Sequence, residues 1–170
     1  MIELLLTALL ATATEPATSQ DPAGQPTDEI RWLTGHWAGP GKLFGNPVRM
    51  ELKICPVAGE QGFALDYAIR GEDPSSVSII FAGHALYWPN QESGWSGRWV
   101  GSNRVNHQLD ARVESHALET IWRNAEVETG RTSYALDATE TLVVTDWVRE
   151  AKGNFRQFAS GRYKRSGDCA

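Results

Sequence analysis

The sequence predicts an all-β protein: an up-and-down antiparallel barrel of about ten strands, entered through a short N-terminal helical turn. Three observations carry that expectation. Beyond residue 29 the dominant apolar period is two, the period of a strand. Short punctuators such as GEDPSS, PNQES, GSN, DATE and EAKGN separate the periodic runs. No amphipathic segment of normal helix length interrupts them. Short links between sequential strands favour a meander, and closing a meander removes its unpaired edges.

The N-terminus reads MIELLLTALLATATEPATSQ. Leu4 to Ala11 is an apolar run of signal-peptide length, and Ala11-Thr12-Ala13 fits a small-x-small cleavage site. Residues 1–13 are therefore expected to act as a signal peptide, placing the protein in the periplasm or outside the cell. Glu3 stands where a basic residue is usual, so a short uncleaved leader is the alternative. The run is too short to cross a bilayer as a helix, and no stable membrane insertion is expected after processing. Cleavage would remove Glu3 and move the net charge from -5 to -4. Residues 14–28, TEPATSQDPAGQPTD, have no apolar period and read as a flexible spacer. The barrel domain is expected over 29–166, with 167–170 as a tail.

A helical turn is expected over Asp28–Leu33, with Asp28 as its N-cap. The first strand should follow near 36–44. VRMELKIC puts Val48, Met50, Leu52 and Ile54 on one face, with Arg49, Glu51 and Lys53 opposite. FALDYAIR repeats the pattern with Phe63, Leu65, Tyr67 and Ile69. Segments 77–88, 94–101, 104–113, 116–124, 131–137, 140–149 and 154–165 complete the set. In a closed meander the last of these pairs with the first.

At 170 residues the chain suits one domain with a filled core. Its 21 acidic and 16 basic side chains form no long runs, which argues against nucleic acid as partner. Cys55 and Cys169 lack metal-ligand spacing. They are either two separate thiols or one disulfide of an oxidising compartment. A bridge is sterically allowed: two strand spacings are roughly 10 Å, and four extended residues reach about 13 Å.

The stretch GWSGRWVGSNRVNHQLDARV concentrates candidates for a site. Trp95, Gly97 and Trp99 share one strand face, and the glycine leaves room beside the rings. His107 lies on an apolar face with Val105, Leu109, Ala111 and Val113. It is either a hydrogen-bonded core histidine or a ligand contact. Asp146 shares a face with Leu142, Val144 and Val148, where an unpaired carboxylate is costly. Arg98, Arg131, Tyr134 or His107 could serve as its partner. No Gly-x-Ser-x-Gly, His-Glu-x-x-His or phosphate-loop motif occurs, and the four histidines are scattered. No catalytic or metal-ligating residue is assigned.

WLTGHWAGPGK, with Gly35-x-Trp37-x-Gly39, resembles the opening signature of the calycin superfamily, the lipocalins and fatty-acid-binding proteins. Four further features resemble bacterial barrels related to nitrobindin, a haem-binding calycin-like family, and together the features span residues 32–165. They are Gly94-Trp95-Ser96-Gly97-Arg98-Trp99, Gly130-Arg131-Thr132-x-Tyr134, Val144-x-Asp146 and Phe158-x-x-Gly161-x-Tyr163-x-Arg165. The resemblance implies that Trp37 plugs the closed end, with a basic residue of the last strand, Arg162 or Arg165, stacked on it. Arg162 is taken as the closing residue. In the nitrobindin family the axial histidine comes from the C-terminal strand, but NFRQFASGRYKR contains none, so no haem or other cofactor is expected.

The leading expectation is an exported barrel that binds a small apolar or amphipathic molecule through Trp95, Trp99, His107, Tyr134, Asp146 and Arg165. One rival is an isomerase- or cyclase-like enzyme using a His–Asp acid–base pair in the cavity. The other is a protein-interaction module presenting exposed tryptophans.

Overall fold

The computed structural model describes residues 26–169 apart from 74–77 and 93. The signal peptide expected over 1–13 and residues 14–25 of the spacer lie outside the described residues. A 3-10 helix, Pro26–Ile30, leads into ten strands. These are β1 Gly35–Leu43, β2 Asn46–Val57, β3 Gly62–Gly71, β4 Ile79–Pro89 and β5 Trp95–Gly101. They continue as β6 Asn106–Glu114, β7 Ala117–Asn124, β8 Glu128–Leu136, β9 Leu142–Arg149 and β10 Phe155–Gly167. Each pairs antiparallel with its neighbours in sequence, and β10 pairs with β1 to close the barrel. The fold is the expected all-β up-and-down barrel. Among the described residues no helix is long and apolar enough to cross a membrane.

Period-two patterning decides which residues face inward. Met50 and Ile54 on β2, Phe63 and Leu65 on β3, Leu118 on β7 and Leu142 on β9 are all essentially inaccessible. Arg49 and Lys53 alternate with the β2 pair and stay exposed. The β1–β2 turn is a two-residue hairpin, Phe44-Gly45, with both φ values positive at 49° and 84°. Gly45 adopts this region freely. Phe44 is held there by a 2.7 Å hydrogen bond from its N–H to the Phe158 carbonyl and by stacking on the Phe158 ring.

One end of the barrel is sealed. Ile30 and Leu33 cap it from outside the sheet, and Trp37 lies beneath them, its indole N–H donating to the Leu33 carbonyl at 2.8 Å. The Arg165 guanidinium sits 4.3 Å from the Trp37 ring centroid. It also donates to the carbonyls of Trp32, at 3.0 Å, and Thr34. A Cβ at Gly35 would lie 2.2 Å from the Arg165 Nη1, so only glycine leaves the guanidinium its place. Trp95 belongs to the same seal: fully buried, it packs edge-on against Phe63 and donates its indole N–H to the Glu29 carboxylate.

Three expectations need correction. Arg165, not Arg162, closes the barrel, because the register of β10 against β1 sets Arg165 opposite Trp37 and Arg162 on the other face of the strand. Arg162 pairs instead with Asp137 at 2.8 Å. The helical element begins at Pro26, before the expected Asp28–Leu33, and buries Thr27, so the packed chain starts inside the expected spacer. Glu128–Gly130, which fall between the expected segments 116–124 and 131–137, begin β8. Gly130 is there for space, since a Cβ would come within 2.0 Å of the Trp122 ring.

Cys55 and Cys169 form a disulfide with Cα atoms 5.7 Å apart, tying the end of the chain to β2 across β1. The two cysteines are not separate thiols.

The Trp37→Ala protein should lose roughly 3–5 kcal/mol in urea denaturation, the usual cost of deleting a buried aromatic. Thiol titration of the unfolded, unreduced protein should find no free cysteine. Reduction should then lower stability by about 2–5 kcal/mol, read as a shift of the denaturation midpoint.

Candidate functional site

The opposite end of the barrel is not filled. A cavity of about 360 Å³ opens there, within the range of small-molecule sites. Its upper walls carry Phe81 from β4, Trp99 from β5, Trp122 from β7 and Phe158 from β10, with Phe44 at the mouth. Two of these rings rest on glycines of neighbouring strands. A Cβ at Gly83 would lie 1.9 Å from the Trp99 ring, and Gly130 leaves the corresponding space for Trp122. Trp99 stacks on Phe81 with centroids 6.1 Å apart. The Gly97 space goes to Tyr87 instead, whose Cδ1 would meet a Cβ there at 3.1 Å.

Deeper in, the walls turn polar. All four tyrosines of the chain point inward: Tyr67, Tyr87, Tyr134 and Tyr163. Tyr67, Tyr87 and Tyr134 line the cavity, and Tyr163 lies just beneath it. The Tyr67 and Tyr163 hydroxyls both approach the Met50 Sδ, at 3.4 and 3.1 Å, and Tyr87 reaches the Thr120 hydroxyl at 3.3 Å. Burial raises the pKa of every one of these phenols, and the Asp146 charge adds to each. Asp146 therefore sits among all four.

Asp146 is held by a short relay. The Trp122 indole N–H donates to the Thr132 hydroxyl at 3.2 Å, and that hydroxyl donates to Asp146 Oδ1 at 2.6 Å. Asp146 is half-buried and lines the cavity. Burial pushes its pKa up to about 6, against the lowering effect of the Thr132 bond. None of the four expected partners holds it. Arg98 is on the exposed outer face, and Arg131 lies outside between Trp147 and Phe155, 4.3 and 5.2 Å from their centroids. His107 instead packs edge-on against Trp122, whose indole N–H donates to Thr132.

His107, 7% exposed, lines the cavity and meets Trp122 edge-on with centroids 4.9 Å apart. Its Nε2 is buried without a hydrogen-bond partner. Burial lowers its pKa, with Glu128 at the mouth opposing the shift. The imidazole is therefore neutral near pH 7.

Of the six residues expected to meet a ligand, four line the chamber: Trp99, His107, Tyr134 and Asp146. Trp95 and Arg165 do not. Both belong to the sealed end, because the seal needs bulk and a cation there while the chamber lies nearer the other rim. Sequence reasoning missed Tyr67, Tyr87, Thr120, Trp122 and Thr132. The inward position of Tyr67 on FALDYAIR marked one of them, but only closure brings the four strands carrying them, β3, β4, β7 and β8, together. Among the described residues no three His, Cys, Asp or Glu side chains gather as a metal site requires.

Fold and chamber together define a calycin-like up-and-down barrel with a ligand-sized interior. No protein-family model matches the chain, and no curated protein matches it.

The raised pKa of Asp146 has a definite sign in stability. An acid whose folded pKa lies above its unfolded value, about 4, stabilises the fold fully below that value. The contribution is lost as the pH rises through about 6. Relative to the parent, Asp146→Asn should therefore gain about 1–3 kcal/mol of stability between about pH 4 and pH 8, the cavity's access to water keeping the gain modest. Paired denaturation curves across that range test it, and a flat difference would refute the buried ionisation.

Proposed function

We propose that the protein is an exported barrel that binds a small apolar or amphipathic molecule in its interior without transforming it. The carrying observation is the chamber itself: aromatic near the mouth, polar at depth, and sealed at the far end by Trp37 and Arg165. A filled barrel would have served stability better, since each unfilled volume forfeits packing contacts. The disulfide supports an oxidising compartment.

The enzyme reading wants a convergent His–Asp pair. His107 and Asp146 are instead linked through Trp122 and Thr132, with no direct hydrogen bond. The interaction-module reading wants exposed tryptophans, and of the seven only Trp88 is largely exposed, beside Leu86 and Val100 on the outer face of β4 and β5. Both geometries weigh toward ligand binding.

Native mass spectrometry of protein from its own host should show a retained small molecule. Titration with N-phenyl-1-naphthylamine, an uncharged apolar reporter, should give saturable binding with one site per chain. His107→Phe should fold with stability within about 1 kcal/mol of the parent, because the ring volume is similar and the lost Nε2 has no protein partner. The same variant should alter reporter affinity. Absence of saturable binding by the parent would sink the reading.

A further inference from the structure

We propose that the chamber selects a lipophilic amine, an organic cation whose ammonium group docks on Asp146 while its apolar body lies against Trp99, Phe81 and Trp122. This rests on the ligand-binding reading above and specifies its chemistry.

The charges of the lining point one way. Among the described residues, two carboxylates, Asp146 at depth and Glu128 at the mouth, face the cavity, and no lysine or arginine lines it. Arg165 is committed to the sealed end by Trp37 and two backbone carbonyls. A carboxylate ligand would bring a second negative charge beside Asp146 in a low-dielectric interior, with no cation to compensate it.

An ammonium head meets the opposite conditions. Asp146 is half-buried and lines the cavity, and the Thr132 hydroxyl donates to its Oδ1. An ammonium adds a charge-assisted N–H···O bond to that carboxylate. The phenol oxygens around Asp146 can accept the remaining N–H bonds. The aromatic faces above offer a cation the attractive side of their quadrupoles. A neutral alcohol could hydrogen-bond at the same point but would gain neither the charge pairing nor the cation–π attraction. His107, neutral and with an unpartnered Nε2, adds no positive charge and leaves a second hydrogen-bonding point on the wall.

Protonation adds a check. The groups facing Asp146 are Tyr67 from β3, Tyr87 from β4, Tyr134 and Thr132 from β8, and Tyr163 from β10. The tyrosines stay neutral through the physiological range because their pKa values are raised. The two remaining titratable groups of the lining are His107 and Glu128. Ammonium binding should therefore weaken as the pH falls below about 6, where Asp146 takes up its proton.

The experiment is displacement of N-phenyl-1-naphthylamine by octylamine, 1-octanol and octanoate, which share one chain and differ in head group. Reporter affinity is measured separately for each variant. At about pH 7.5 octylamine should displace the reporter at about tenfold or more lower concentration than 1-octanol, with octanoate weakest. That preference should shrink at about pH 5. Asp146→Asn should reduce it to within about threefold, whereas Glu128→Gln should keep most of it. Octanoate matching octylamine would overturn the proposal. So would an amine preference that survives in Asp146→Asn, or one lost only in Glu128→Gln. If the parent fails to bind the reporter at all, the ligand-binding reading itself falls, and that result is distinct from a bound reporter displaced without head-group preference.

Discussion

The pairing of β10 with β1 is the constraint on which the rest depends. Without it the sheet has two open edges, and the backbone groups along nine residues of β1 and much of β10 lose their partners. Closure also brings Arg165 over Trp37 and places Tyr163 inside beside Met50. The seal and the chamber floor therefore have the same origin. The Cys55–Cys169 bond fastens this seam from the side, since it joins the end of β10 to the strand beyond β1.

Within the closed wall, the distribution of large and small side chains decides where the barrel is full and where it is hollow. At the sealed end Trp37, Trp95, Phe63 and Leu33 are buried together. Toward the other end the bulky rings lie against the wall on glycines, Trp99 over Gly83 and Trp122 against Gly130. Rings flattened against the sheet leave the axis empty. The chamber is thus a consequence of where glycine sits opposite tryptophan, and its aromatic walls follow from the same exchange.

The polar floor is the costly part of the design. A carboxylate among tyrosines, with one hydroxyl donor and no cation, sits uneasily in an interior of low dielectric. The fold accommodates it by raising its pKa, and so stability and site chemistry depend on the same proton. Elsewhere acids are satisfied conventionally. Asp137 accepts bonds from Thr139, Thr141 and Arg162, which hold its pKa well below the usual carboxylate range. The contrast between two aspartates nine residues apart in sequence reflects their surroundings: one lies in a turn with donors at hand, the other on an inward strand position.

The sequence by itself determined the barrel, its meander order and the inward faces of the strands, because period two is a local property that every strand displays. It also marked Trp37 as the plug and Trp99, His107, Tyr134 and Asp146 as inward. Tertiary structure alone decided the rest. Arg162 and Arg165 are three residues apart on one strand, and which of them meets Trp37 depends on the register of β10 against β1, including its irregularity at His36–Trp37. Trp95 and Trp99 share a face, yet the height of each along the barrel axis put one in the seal and the other in the chamber. The gathering of four tyrosines around Asp146 draws on β3, β4, β8, β9 and β10, whose separation along the chain hides it from any local pattern. Closing the sheet turns these inward residues into neighbours, because inward directions from opposite walls converge on one axis.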